Sequence, residues 1–393
     1  MPYRVLVSET LAPEGLAILR AEPGIEVVER PPLEGPELAA EIGDYDALIV
    51  RSGAKVTAEA IAAGTKLKVI GRAGIGVDNI DVPAATRRGI VVMNTPGGNN
   101  VTTAEHAISL LLACARFIPQ ANASLRAGKW ERTKFTGSEV TAKTLGVVGL
   151  GNIGRIVADR ALGLQMKVIA FDPFVTAETK PMQVELVSID ELFARSDFVT
   201  VHVPLTNETR NLIDAAAIAK MKPGVRIVNC ARGGIVDEHA VADAIKSGHV
   251  AGAAFDVFAT EPPGADSPVI GLPQVVATPH LGASTGEAQT NVAIAIAEQV
   301  SAFLMRGAIT AAVNMPAITP EQRELLGPFL RLGEKLGSLV AQLGTKDVPS
   351  GGAPVEVAIE YRGDVADYGT KTVSAAILRG LLVPMLGSDL NYV

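Results

Sequence analysis

Short β-branched apolar runs recur through the first hundred residues, at 4–8 (RVLVS), 25–29 (IEVVE), 46–50 (DALIV), 68–72 (KVIGR) and 90–94 (IVVMN), with helical patterns between them. Near-continuous apolar runs predict strands of a parallel sheet covered on both faces, and their alternation with helices predicts a doubly wound α/β domain. An Ala- and Leu-rich helical stretch from Val101 to Gly128 is expected to cross into a second domain. That domain begins at 144 and carries the runs VVGL, KVIAF, DFVTVHV, VRIVNC, VAGAAFDV and QVVATPH. The helical segment EAQTNVAIAIAEQVSAFLMRG and the short AAVN at 311–314 read as a return to the first domain. The expected organisation is therefore two doubly wound parallel-sheet domains, a discontinuous flavodoxin-like one over 1–97 and 284–315 and a Rossmann one over 98–283. Residues 316–393 change character: a Pro-flanked helix, a GTKDVPSGGAP loop, the strand-like VEVAIEYRG and an amphipathic helix around SAAILRGLLVPML. This is too little for an independent core, so the segment is expected to pair with another subunit or to belong to a truncated α+β domain.

Composition narrows the partners. A chain of 393 residues predicts two to three domains. Thirty-five basic against 42 acidic side chains leave a net charge of −7, which argues against nucleic acid or an anionic membrane as the main partner. No apolar run is long enough to span a bilayer and the N-terminus has no signal-peptide pattern, so a cytoplasmic protein is expected. Cys114 and Cys230 offer neither a disulfide framework nor metal-ligand spacing, and no metal is expected.

The stretch 144–173 (TLGVVGLGNIGRIVADRALGLQMKVIAFDP) reads as strand, glycine turn, helix, strand and carboxylate. Gly149, Gly151 and Gly154 fit G-x-G-x-x-G: one for the tight turn, one for backbone approach to a pyrophosphate, one for close helix packing. The pyrophosphate would sit on the helix N-terminus. Asp172, ending the next strand, suits the ribose hydroxyls and repels a 2′-phosphate, which favours NAD over NADP.

Three further strand ends carry different charges. Arg232 follows VRIVN among glycines, where a guanidinium can grip a carboxylate bidentately or, more blandly, pair with Asp237 or Glu238. Glu261 precedes Pro262 and Pro263 in a rigid turn, and His280 follows Pro279 before a small-residue turn. Hydride transfer between a secondary alcohol and nicotinamide requires one proton to move, and His280 is the best acid/base candidate, with Glu261 to orient it. Of the other histidines, His106 reads as packed in its helix, His239 and His249 as exposed, and His202 as part of a cofactor wall. Arg51 and Arg72 each follow a strand, beside Gly53, Gly71 and Gly74, and both suit a phosphate. Arg132 and Lys134 could add charge from a neighbouring subunit.

Arg232, Glu261 and His280, in this order after GLGNIG, resemble the D-isomer-specific 2-hydroxyacid dehydrogenase family over nearly the whole chain to about 315. The segments VRSGAKV (50–56), GRAGIGVDNID (71–81), MNTPGGNN (93–100), GKWERTKFTGSEVTAKTLG (128–146), NCARGGIVDE (229–238) and TPHLGAST (278–285) most resemble its phosphoglycerate dehydrogenase branch. The resemblance implies that Arg232 binds the substrate carboxylate, His280 moves the proton and Glu261 assists. It implies NAD contacts at Ile75, Gly149, Gly151, Asn152, Ile153, Gly154, Asp172, Val203, Cys230, Ala231, Arg232, Asp256, His280, Leu281, Gly282 and Ala283. Substrate contacts are implied at Arg51, Ser52, Gly53, Arg72, Gly74, Arg232 and His280, for a small phosphorylated 2-hydroxy acid. A homodimer through the NAD domain is implied, with higher assembly through the C-terminal segment. That segment resembles the start of the branch's intervening domain, and the serine-sensing regulatory domain of long members is absent from these residues. Glyoxylate/hydroxypyruvate reductase or D-lactate dehydrogenase would share the Arg–Glu–His set without needing a phosphate pocket, and an NAD-sensing corepressor-like scaffold is the non-enzymatic alternative. Formate dehydrogenase chemistry is disfavoured, because those relatives place Gln where this chain has Glu261.

Overall fold

The computed structural model describes residues 2–315, 320–344, 357–363, 365–366 and 370–386. The chain divides into two compact units, Met1–Gly98 with Gly286–Val393, and Asn99–Thr285. The first holds a sheet of β1 (Tyr3–Ser8), β2 (Ile25–Arg30), β3 (Ala47–Val50), β4 (Val69–Arg72) and β5 (Val91–Met93) in the order β2-β1-β3-β4-β5. All its pairings are parallel. Side-chain alternation divides the core: Val5, Val7, Ile49 and Val69 pack on one face with Val292, Ile296 and Val300 of the helix Gly286–Arg306. Leu6, Leu48, Ile70 and Val92 pack on the other with Leu38, Ile42 and Ile61. Residues 311–314 return to this unit, with Ala312 bridging Met93 antiparallel and Val313 donating to Val92.

The second unit holds β6 (Thr144–Val148), β7 (Lys167–Phe171), β8 (Glu185–Leu186), β9 (Phe198–Val201), β10 (Val225–Asn229), β11 (Val250–Phe255) and β12 (Val275–Ala277). Their order, β12-β11-β10-β9-β6-β7-β8, is parallel throughout and reverses direction of winding beside β6, the topological switch point at which such sheets bind ligands. The doubly wound α/β reading thus holds in both units, while the two-residue β8 is an element that the apolar pattern does not announce.

Two expectations change. The helical stretch 101–128 is two helices, Asn100–Arg116 and Ile118–Arg126, bent by 62° at Phe117, whose φ of 53° ends one helix and caps the next. Pro119 lies at the start of the second, where its missing N–H costs nothing but where it could not continue the first. No single helix among the described residues is long and apolar enough to cross a membrane. In the C-terminal segment the helices Pro320–Gly344 and Thr370–Leu386 pair closely, because Gly337 and Gly380 let the backbones touch: a Cβ at either would lie 1.9 Å from a carbonyl oxygen of the other helix. The segment read as strand-like, 355–363, forms no strand over its described part, 357–363; the loop at 345–356 lies outside the described residues.

Gly15 shows how tightly the first unit is packed. A Cβ there would lie 2.6 Å from the Ala293 carbonyl oxygen, so the helix Pro13–Ala21 rests directly on the backbone of Gly286–Arg306. Gly15→Ala is expected to destabilise the protein by about 1–3 kcal/mol through overpacking. Urea unfolding with an unchanged midpoint would reject that packing argument.

Candidate active site

The ladder of the second sheet continues past its strand ends into the loops that follow them. Gly149 N–H donates to Phe171 O (2.9 Å), His202 N–H to Val148 O (2.7 Å), Asp256 N–H to Asn229 O (2.9 Å) and Thr278 N–H to Phe255 O (3.0 Å). Each loop therefore leaves the sheet in a fixed register.

At the end of β6 two glycines are required by the protein itself. Gly149 has φ +92°, and a Cβ on it would lie 2.6 Å from His202 O; a Cβ on Gly154 would lie 2.0 Å from Gly149 O. Gly151 differs: nothing lies within 4 Å of the Cβ it lacks, so its bareness leaves the N-terminus of the helix Asn152–Gly163 open. Open backbone at a helix N-terminus fits a dinucleotide pyrophosphate. Asp172 fixes this turn, because Oδ2 accepts from Leu150 N–H and Oδ1 from Phe174 N–H, both at 2.8 Å. A carboxylate has about four lone-pair sites, so acceptor capacity remains for ribose hydroxyls. Asn152 is exposed and Ile153 and Val203 are half-buried around the turn. His202 stands behind it, its Nε2 2.9 Å from Thr200 Oγ1, and burial pushes its pKa down to about 4, so it is neutral at physiological pH.

The His280 ring meets Glu261: Nδ1 to Oε2 is 2.7 Å, and Glu261 Oε1 accepts from Phe258 N–H at 3.0 Å. An ionised Glu261 can only accept, so Nδ1 carries the proton and Nε2 is left for proton exchange. His280 has φ +55°, an unusual conformation for a non-glycine residue. What holds it is Asp256, fully buried, whose Oδ1 accepts from Leu281 N–H (2.7 Å), Thr278 Oγ1 (2.6 Å) and His106 Nε2 (3.1 Å) while Oδ2 accepts from Gly282 N–H (2.8 Å). Burial works to raise the Asp256 pKa, but the hydrogen bonds from His106, Thr278 and Leu281 outweigh it and hold the carboxyl below its usual range. Thr103 closes the turn from the other side by donating to Gly282 O at 2.9 Å.

Arg232 stands on a turn organised by buried Asn229, whose Oδ1 accepts from Ala231 N–H (3.0 Å) and whose Nδ2 donates to Arg232 O (2.9 Å). Arg232 itself donates to Ala231 O at 2.7 Å. A Cβ on Gly233 would lie 1.7 Å from Phe258 O, so this turn is pressed against the one that carries Glu261. Glu238 adds a link by accepting from Ala259 N–H at 2.6 Å, and Asp237 caps the helix Glu238–Lys246 through His239 and Ala240. Cys230 is buried beside Asp256, and burial followed by that charge pushes its thiol well up, so it is an inert neutral group here. Ala231 and Ala283 are half-buried and Leu281 is exposed.

In the first unit Arg51 follows β3 and Arg72 ends β4, adjacent strands in which Val50 lies opposite Arg72. Arg51 donates to Thr10 O (3.2 Å) and Arg72 to Ala73 O (3.3 Å). Asn79 Nδ2 donates to both Arg51 O and Ala54 O at 2.7 Å, which shapes the exposed Ser52–Gly53 loop. Gly74, at φ +145°, is overlain by the Arg72 guanidinium: a Cβ would lie 1.3 Å from Nη1. Ile75 is held by Asn94 Nδ2 donating to its carbonyl at 2.6 Å. Arg132 and Lys134 lie in a short 3-10 turn where Lys134 pairs with Glu131 at 2.5 Å; Trp130, just before it, is 77% exposed.

Sequence reasoning missed four positioning residues: His106, Thr278, Thr103 and Asn229. His106 is not simply packed in its helix, since its ring reaches Asp256 Oδ1 and Thr278 Oγ1, both at 3.1 Å. His249 is half-buried rather than exposed, with Nε2 3.0 Å from Ile218 O; His239 is exposed as expected. Among the described residues no cluster of metal-ligating side chains occurs.

The fold and these strand ends define a class. The D-isomer specific 2-hydroxyacid dehydrogenase NAD binding domain matches residues 108–282, and the D-3-phosphoglycerate dehydrogenase intervening domain matches residues 325–393. The chain belongs to the D-isomer-specific 2-hydroxyacid dehydrogenase family, and its dinucleotide is NAD. Among its relatives, the D-3-phosphoglycerate dehydrogenase of Archaeoglobus fulgidus is 49% identical over 391 residues, 99% of this chain and 73% of that one. Of solved structures, a glyoxylate reductase from Paecilomyes thermophila superposes with a TM-score of 0.73 at 31% identity, over 79% of this chain and 98% of that one. An NAD-dependent formate dehydrogenase from Staphylococcus aureus in complex with NAD gives 0.71 at 30% identity, over 81% and 100%.

The Asp256 clamp generates a pH prediction. Its folded-state carboxyl titrates below the unfolded value of about 4, so the stability it contributes is present above that value and is lost as pH falls through the folded one. Asp256→Asn, which sets an amide among groups that all donate, is expected to be less stable than the parent at neutral pH by about 1–3 kcal/mol. The gap should narrow below about pH 4, as read by urea unfolding across pH. A gap that stays constant on acidification would count against the clamp.

Proposed function

We propose that the protein oxidises D-3-phosphoglycerate to 3-phosphohydroxypyruvate with NAD, the opening step of serine biosynthesis. The observation that carries the chemistry is the 2.7 Å contact between His280 Nδ1 and Glu261 Oε2 beside the Arg232 turn. Support for the substrate comes from the curated relatives of that name, 44–49% identical over nearly the full chain. In this reading residues 98–283 form the NAD-binding domain, 1–97 with 284–315 the substrate-binding domain, and 316–393 part of an intervening domain.

Bound NAD supplies the acceptor for the hydrogen that leaves C2 with its electron pair. Arg232 holds the substrate carboxylate through paired N–H donors, which fixes C2 relative to the ring of His280. His280 Nε2 takes the C2 hydroxyl proton as the C2–H bond breaks, so the alcohol becomes a ketone without an alkoxide charge building up. Glu261, across the ring, stabilises the resulting imidazolium and keeps Nδ1 protonated throughout. In the reverse direction the same ring donates the proton. Arg51 and Arg72 with the Ser52–Gly53 loop take the substrate phosphate, since a dianion requires more than one charge-assisted donor.

An NADH-formation assay across D-3-phosphoglycerate, D-lactate and D-glycerate tests the reading, with phosphoglycerate expected to give the highest kcat/KM. His280→Ala is expected to lower kcat by roughly 10²–10⁴-fold while NADH binding is kept. Near-normal turnover in that variant would remove His280 from the chemistry.

Arg72→Ala separates phosphate recognition from folding. Its kcat/KM should fall much further on phosphoglycerate than on D-glycerate, and equal losses on both would make Arg72 a structural residue.

A further inference from the structure

The first sheet has a switch point of its own. Its order reverses at β1 and β3, whose carboxyl ends lead into Glu9–Thr10 and Arg51–Gly53, and it is there that an α/β sheet of this winding offers a ligand site. Glu9 occupies that position in a conformation few side chains adopt, with φ +131°. Strain of this kind persists only where the surroundings hold it, and it concentrates at functional sites. What holds Glu9 is the loop expected to receive phosphate. Its Oε2 accepts from Gly53 N–H at 2.9 Å, and Oε2, Cδ and Oε1 lie 3.2, 3.3 and 3.4 Å from the Cβ that Gly53 lacks, so the carboxylate lies across the bare face of that glycine. The neighbouring residues are interlocked the other way, with Arg51 Nη1 donating to Thr10 O at 3.2 Å.

A carboxylate on a loop N–H, next to an arginine at a strand end, stands where an oxygen of a bound anion would stand. We infer that Glu9 is an internal anion of the phosphate subsite, which a phosphorylated ligand displaces from Gly53 N–H. The inference rests on the reading of Arg51, Gly53 and Arg72 as the phosphate site. With Glu9 in place, Gly53 N–H already has an acceptor, and an incoming phosphate gains at that donor only the difference between two anions. The consequence is weaker binding of substrate and product alike, which raises KM and lets the phosphorylated product leave. Unphosphorylated hydroxy acids have nothing to displace.

Two variants and one small probe test this. Glu9→Gln keeps an oxygen that can accept from Gly53 N–H but removes the charge; Glu9→Gly removes the whole group and suits φ +131°. Inorganic phosphate serves as probe, both as a competitive inhibitor of phosphoglycerate oxidation and as a stabiliser in thermal unfolding, where a ligand of the native state raises Tm. In both variants Ki for phosphate and KM for phosphoglycerate are expected to fall by about two- to fivefold, the scale of one exposed charge interaction. KM for D-glycerate should not fall with them. If Glu9 served only to shape the loop, Glu9→Gln would leave Ki unchanged and Glu9→Gly would raise it; either pattern overturns the inference. Arg51→Ala is the control for the underlying site. A Ki raised by Arg51→Ala but not lowered by the Glu9 variants defeats the role of Glu9 alone, whereas a Ki indifferent to Arg51→Ala defeats the phosphate site and the inference together.

Discussion

The four hydrogen bonds on the Asp256 carboxylate are the interaction on which the geometry around His280 depends. A buried carboxylate without partners would cost several kcal/mol and would protonate instead. Here the backbone N–H groups of Leu281 and Gly282, the Thr278 hydroxyl and the His106 ring satisfy it, and in doing so they wrap the residues on either side of His280 around one point. The left-handed backbone of His280 is held at both ends by this clamp, and its own N–H donates to Asp256 O at 2.9 Å. The ring therefore meets Glu261 because the turn is fixed, and the ion-pair contact, with both side chains a third or more exposed, completes an arrangement it could not maintain alone.

A second constraint is the close approach of backbones at the strand ends. Gly149 and Gly154 let the turn after β6 fold onto the start of its helix and onto His202, and Gly233 lets the Arg232 turn touch Phe258. A methyl group at any of the three would displace main chain, not a pliable side chain. Gly151 is the exception: nothing lies within 4 Å of the Cβ it lacks, which leaves the N-terminus of the helix Asn152–Gly163 open. The same logic places charge. In a protein of net charge −7, three arginines at or just past strand ends are held by carbonyl acceptors, Arg51 by Thr10, Arg72 by Ala73 and Arg232 by Ala231.

The alternation of apolar runs and helical periods was enough to place a run on eleven of the twelve strands among the described residues, and to identify the glycine turn, Asp172, Arg232, Glu261 and His280 as groups at or just past strand ends. Two-residue β8 escapes because a period cannot be read from Glu185 and Leu186; it pairs with β7 only because that strand's outer edge is available. The break at Phe117 escapes too, since Pro119 signals an interruption but nothing in a phenylalanine announces a positive φ.

What the sequence determined by itself is thus the alternation of elements and the chemical type of each group at a strand end, because both are local: apolar period, glycine spacing and the position of a charge just after a strand. Tertiary structure alone decided which of those groups meet. His106 lies 150 residues from Asp256 and reads as one more core position in an Ala/Leu helix, and Asn229, Thr278 and Thr103 read as ordinary polar residues. Their roles come from parallel strands that end side by side and so bring distant turns within hydrogen-bonding distance, and from burial, which obliges every polar group placed there to find a partner.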